Sequence, residues 1–258
     1  MIVPMKETLA NSVVNRWQEY TAFGVLSLAV AALAGMLALS QNVITQPYQG
    51  IIPGDPAGFF RPFLGNIHPL VAIALVALVG LASLSFLRSR GVFEIYAMQK
   101  TWRGIGVAAI IATGFGIEII FAEMTNIIRL PADMNVPLPW ALLFYPVIGY
   151  VVEVVFHALP VALLLAIVNP LFKKLNTPGL FWPYLFIVAL LEPIFQTSSG
   201  QMVPSALVYI GLHVFAINLF QMYAFRRYGF VSMYSLRLVY YLWWHIIWGT
   251  LRLQGFFG

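Results

Sequence analysis

The sequence predicts an all-α fold, a polytopic bundle of about seven transmembrane helices. Hydrophobic residues make up 61% of the 258 positions and charged residues 9%, whereas a soluble domain carries about 25% charged residues. Mean hydropathy is +0.86. Apolar runs of the roughly 17–25 residues needed to cross a bilayer recur along the whole chain. The length suits one bundle, so residues 1–258 are read as a single integral membrane domain. Residues 1–135 supply N-terminal spans and a surface loop, and residues 136–258 a four-helix core.

The predicted spans are 20–39, 69–87, 105–121, 139–168, 181–197, 203–225 and 230–251. The first two are plain Ala/Val/Leu helices suited to packing and anchoring. The fourth contains Pro160, which removes a backbone donor and predicts a kink. Residues 41–68 are rich in Gly, Pro and aromatics and lack a period, so they read as a lid-like loop on the membrane surface. Residues 91–100 read as a short interfacial helix. The N-terminal 20 residues have no short apolar core with a cleavage site, so no signal peptide is expected.

Net charge is +5. The basic residues sit in short loops and read as topology signals, not as a nucleic-acid surface. With alternating spans, Lys6, Arg16, Arg88, Arg90, Lys100, Arg103, Lys173, Lys174, Arg226 and Arg227 share one side. Arg61, Arg129 and Arg252 fall on the other. This predicts insertion in the cytoplasmic (inner) membrane with the N-terminus cytoplasmic and the C-terminus outside. The chain has no cysteine, which excludes disulfides and thiolate chemistry. No phosphate-binding loop, dinucleotide fingerprint or His-Glu-x-x-His is present.

Function is sought in the polar residues that the spans carry despite their cost. A charged side chain at mid-membrane costs about 2.5–3.5 kcal/mol on insertion scales. Glu153 and His157 lie one turn apart on the fourth span. Glu192 lies on the fifth, His213 and Asn218 on the sixth, and Arg237, Tyr241 and His245 at i, i+4, i+8 on the seventh. Arg237 is permanently charged and must find a carboxylate, Glu192 or Glu153. Asn218 reads as an interhelical hydrogen bond. Glu118 and Glu123 approach the outer interface. Glu153, His157, Glu192 and His245 together are too costly to be incidental. They suit either a divalent metal site or a carboxylate that activates water.

Spans four to seven, about residues 139–249, resemble the CPBP intramembrane peptidases, which include the type 2 CAAX prenyl proteases. That family carries Glu-Glu-x-x-x-Arg, then Phe-x-x-x-His, then His-x-x-x-Asn. Here Tyr209-Ile210-Gly211-Leu212-His213 is similar to the second motif and His245-Ile246-Ile247-Trp248-Gly249 to the third. The first has two registers, Val152-Glu153-Val154-Val155-Phe156-His157 and Leu191-Glu192-Pro193-Ile194-Phe195-Gln196. The Arg and the final Asn of the family are absent. The resemblance implies a CPBP-like core and catalytic positions at Glu192, Glu153, His213 and His245. It also implies a Zn²⁺ or other divalent metal held by His213, His245 and Glu192. Two functions follow: an intramembrane peptidase acting on a membrane protein or peptide, or a pseudo-peptidase subunit that binds or scaffolds another membrane protein. Membrane lipids are partners in either case. A transporter or pigment- or haem-binding role ranks lowest, because no inverted repeat is evident.

Overall fold

The structure is a computed structural model describing residues 5–44, 68–91, 93–129, 135–171, 181–198 and 203–254. Among these, all regular structure is helical. In chain order the elements are α1 (Met5–Ile44), α2 (Pro69–Ser89), α3 (Met98–Met124), α4 (Ala141–Val152), a π-helical segment (Glu153–Ala158), α5 (Leu159–Leu171), α6 (Phe181–Ala189), α7 (Leu191–Thr197), α8 (Pro204–Tyr228), α9 (Phe230–Tyr241), a second π-helical segment (Leu242–Trp248) and α10 (Gly249–Leu253).

Among the described residues, five helices are long and apolar enough to cross a membrane: Arg16–Leu39, Pro69–Ser89, Met98–Met124, Ala141–Val168 and Pro204–Tyr228. Their composition is that of an integral membrane protein. The remaining two expected spans differ from plain helices. Residues 230–253 form a continuous helical rod, but Arg237, His245 and Arg252 dilute its hydropathy. Residues 181–197 break into α6 and α7 at Leu190.

That break has a local cause. Pro193 has no N–H, so the carbonyl of Ala189 loses its helical donor. The Asn218 side chain on α8 supplies one instead, at 3.2 Å. An unpaired carbonyl here would carry a full desolvation penalty.

The core is built on close approach of α9 to α3, with α8 beside both. Gly104, Ala108, Ala112 and Gly116 are buried at every fourth position of α3. Small residues at that spacing let membrane helices touch backbone to side chain. A Cβ on Gly104 would fall 2.4 Å from the Ser232 hydroxyl, and one on Gly116 2.5 Å from Cβ of Trp243. On the other flank, α1 packs against α2 and α4, where Ser27 and Tyr150 share a 2.7 Å hydrogen bond.

The interfacial helix expected over 91–100 is not formed. Residues 93–97 are non-helical, and α3 begins at Met98. The reason is long-range. The first N–H groups of α9 have no helical acceptor, and Phe230 and Val231 donate to the carbonyls of Glu94 and Ile95 at 3.2 and 3.3 Å. Gly229 makes the turn at φ +95°, and a Cβ there would meet both carbonyl oxygens at 3.0 Å. Buried Glu19 of α1 fixes the same segment by accepting from the Ile95 N–H at 2.9 Å and from Arg88 Nε at 2.9 and 3.1 Å. The proposed lid-like loop falls almost wholly outside the described residues.

Candidate functional site

Pro160 cannot donate to the preceding turn, and the π-helical segment Glu153–Ala158 sits immediately before it. Such segments are frequent at functional sites and arise where the ordinary hydrogen-bond ladder is interrupted. Here the segment carries both Glu153 and His157 inward, each 0% exposed. The second π-helical segment carries His245. Both unusual turns therefore present a residue singled out by the sequence.

Glu153, Glu192 and Arg237 meet in one buried cluster. Arg237 Nη1 donates to Glu192 Oε1 at 2.9 Å, and Nη2 to Glu192 Oε2 at 2.7 Å. This is the two-pronged geometry that a planar guanidinium favours. Arg237 Nε donates to Glu153 Oε1. Gln221 bridges the two, accepting from Arg237 Nη2 at 3.0 Å and donating to Glu153 Oε1. Gln196 donates to Glu192 Oε1 at 2.9 Å. Arg237 is 4% exposed and Glu192 2%.

His157 completes the cluster in a different way. Its Nδ1 lies 3.1 Å from Glu153 Oε2 and its Nε2 4.0 Å from Glu192 Oε2. The first contact is close enough for electrostatic pairing but off the axis of a hydrogen bond. Both ring nitrogens and that carboxylate oxygen thus lack a hydrogen-bond partner among the described residues. When all three are ionised, Glu153, Glu192 and Arg237 carry one net negative charge.

His213 and His245 do not join these carboxylates. His213 Nδ1 lies 2.7 Å from Glu118 Oε2 on α3, and its Nε2 3.0 Å from the Tyr240 hydroxyl. Tyr209, one turn from His213, donates to Glu118 Oε1. His213 is 6% exposed, while the Glu118 side chain is 49% exposed. His245 stacks on Tyr145 with ring centroids 4.5 Å apart, and its Nδ1 lies 3.3 Å from Asn135 Nδ2. Asn135 also accepts from Arg252, whose guanidinium pairs with Glu123 at 2.9 Å. Tyr240 stands between the histidines, with ring centroids 5.7 Å from His213 and 6.5 Å from His245.

The chain matches no protein-family model, and comparison with curated proteins and with solved structures finds no match. The site is therefore read from its own geometry.

The residues implied to hold a metal, His213, His245 and Glu192, each have other partners here. Both oxygens of Glu192 are held by Arg237, both His213 nitrogens face Glu118 and Tyr240, and His245 Nδ1 faces Asn135. Among the described residues, no three His, Asp or Glu side chains form a group able to hold a metal ion.

The sequence reading missed Asn135, Gln221 and Tyr240. Asn135 lies outside every predicted span, and only Gly249 hinted at it. A Cβ at Gly249 would fall 2.5 Å from Asn135 Nδ2, so the glycine leaves room for that amide beside His245. Gln221 was findable as a polar residue in an apolar span, four positions from Ile217 on the buried face of α8.

Proposed function

We propose that this integral membrane protein is a divergent, non-hydrolytic relative of the CPBP peptidases, acting as a subunit that binds or scaffolds another membrane protein. One observation carries the reading. Arg237 occupies both Glu153 and Glu192, the two carboxylates expected to activate water. A general base must reach the proton it removes, directly or through one water. Glu192 has both oxygens engaged by Arg237, and Glu153 has Oε1 engaged by Arg237 and Gln221. The remaining oxygen, Glu153 Oε2, is buried 3.1 Å from His157 Nδ1. The loss of the family's Arg and final Asn agrees with this, although Asn135 places an amide beside His245 in the space that Gly249 leaves.

A second reading is favoured by the exposure of Glu118. It is a half-exposed carboxylate against an imidazole, flanked by the Tyr209 hydroxyl. If the protein hydrolyses peptides, Glu118 is the base with the open position, and His213 is its partner.

The test is cleavage of single-span peptide substrates by the purified chain in lipid vesicles, comparing wild type with Glu192→Gln, Glu153→Gln and Glu118→Gln. The subunit reading expects intact peptides throughout. Cleavage abolished by Glu192→Gln or Glu153→Gln would restore the peptidase reading at the expected carboxylates. Cleavage abolished by Glu118→Gln alone would move the chemistry to the Glu118–His213 pair.

A further inference from the structure

At the end of the bundle opposite Asn135 and His245 lies a cavity of about 350 Å³. Four cationic side chains line it: Arg88 from the last turn of α2, Lys100 from the first turn of α3, and Arg226 and Arg227 from the last turn of α8. Glu94 is the one carboxylate among the described lining residues, and Glu19 pairs with Arg88 behind it, so the group carries two net positive charges when all are ionised, four minus two.

The cations are held apart and in place. Arg88 is anchored through Nε to buried Glu19 at 2.9 Å. Lys100 reaches Glu94 at 2.9 Å, and Arg226 lies 5.9 Å over the Phe93 ring. Like charges fixed around a concavity focus a field that draws in an anion. The carboxylate–arginine cluster deeper in the bundle has no part in this.

The cavity also has an apolar side. Trp182 and Tyr223 line it with their rings stacked at 6.4 Å and 16°. They are 52% and 37% exposed, at helix ends where aromatic belts mark the headgroup level. One turn deeper, Phe186, Ile187 and Phe220 leave α6 and α8 exposed by 50%, 49% and 42%. An anion with an attached hydrocarbon chain would meet charge above and apolar surface below.

We propose that this cavity is a binding site for the phosphate headgroup of an anionic phospholipid, with the acyl chains lying along α6 and α8. Basic pockets between transmembrane helices recognise such headgroups. The cavity stands at the face that gathers the excess of Lys and Arg, where anionic lipid concentrates when that face is cytoplasmic. Free phosphate shares the headgroup chemistry but has no use for the apolar strip.

The test uses the purified full chain in phosphatidylcholine nanodiscs and reads the thermal unfolding midpoint. Replacing a fraction of the lipid with phosphatidylglycerol should raise the midpoint, and Arg226→Gln/Arg227→Gln should weaken the apparent affinity at least about tenfold. Inorganic phosphate at matched concentration should leave the midpoint unchanged. A full shift from inorganic phosphate would assign the site to a free anion and overturn the lipid. An equal shift in the double variant would overturn the site. Should the double variant unfold, photoreactive phosphatidylglycerol on the wild type decides. Crosslinks mapping to residues 181–187 and 220–227 support the proposal, and crosslinks scattered over α1 and α2 refute it.

Discussion

Arg237 and Glu192 face each other through two parallel hydrogen bonds of 2.9 and 2.7 Å, deep between α7 and α9. Residues 45 positions apart in sequence are thereby locked across the bundle. The pair ties α7 to the C-terminal rod. Its energetic weight lies less in the attraction than in what its removal would leave behind.

Arg237→Ala is expected to destabilise the protein by roughly 3–5 kcal/mol, because it strands two buried carboxylates. Adding Glu192→Gln should recover part of that loss. Arg237→Lys should also be poorly tolerated, since an ammonium cannot serve two carboxylates in the planar forked manner. Thermal or denaturant unfolding in detergent, run as a double-mutant cycle, checks all three. Additive effects of Arg237→Ala and Glu192→Gln would mean the two side chains are not coupled.

Asn218→Leu should cost about 1–3 kcal/mol by leaving the Ala189 carbonyl without a donor. The same substitution in a Pro193→Ala background should cost much less, because residue 193 would regain the N–H that can reach Ala189. Equal costs in both backgrounds would show that Asn218 contributes by packing alone.

Gly249→Ala should destabilise by about 1–3 kcal/mol through overpacking against Asn135. Asn135→Gly removes all three atoms that the new methyl would strike, namely Nδ2, Cγ and Cβ. Gly249→Ala should therefore be milder in the Asn135→Gly background than alone. Unfolding midpoints of the four proteins settle the point.

Topology is tested on the natural absence of cysteine. Single cysteines at Ile2 and Phe257 should react with an impermeant maleimide from opposite faces of the membrane, Ile2 from the cytoplasmic one. Labelling of both from one face would contradict an odd number of crossings.

Five of the expected spans were legible in the sequence because length and hydropathy alone define them. The polar residues within them were legible because each is costly in hydrocarbon, and that cost demands a partner. Arg237 was expected to meet Glu192 or Glu153 and contacts both. Partner choice elsewhere was not legible. Counting along a span fixes depth but not rotation, and so it could not separate His213 beside Glu118 from His213 beside Glu192. Asn135 reaches His245 from outside the spans, where a polar residue costs nothing and draws no notice. The extended 93–97 segment was hidden for a similar reason, since its role is set by N–H groups on a helix more than 130 positions later. The Gly104, Ala108, Ala112 and Gly116 stripe went unread, although small residues at every fourth position are the mark of a close helix contact.

The π-helical segment Glu153–Ala158 is a stretch of helix holding one residue more than its ladder needs. Its register is therefore a hinge between two alternatives that differ by a single codon. Excising one residue, such as Val155, would let the ladder close as ordinary α-helix while the turns before and after it keep their faces, because the π turn is what absorbs the surplus residue. Glu153 would keep its hold on Arg237, and His157, now three positions after it, would stay on the same face. The π turn thus lets the fourth span carry a surplus residue without losing its alignment. A deletion there should be tolerated, where one in an ordinary turn would re-index the interior.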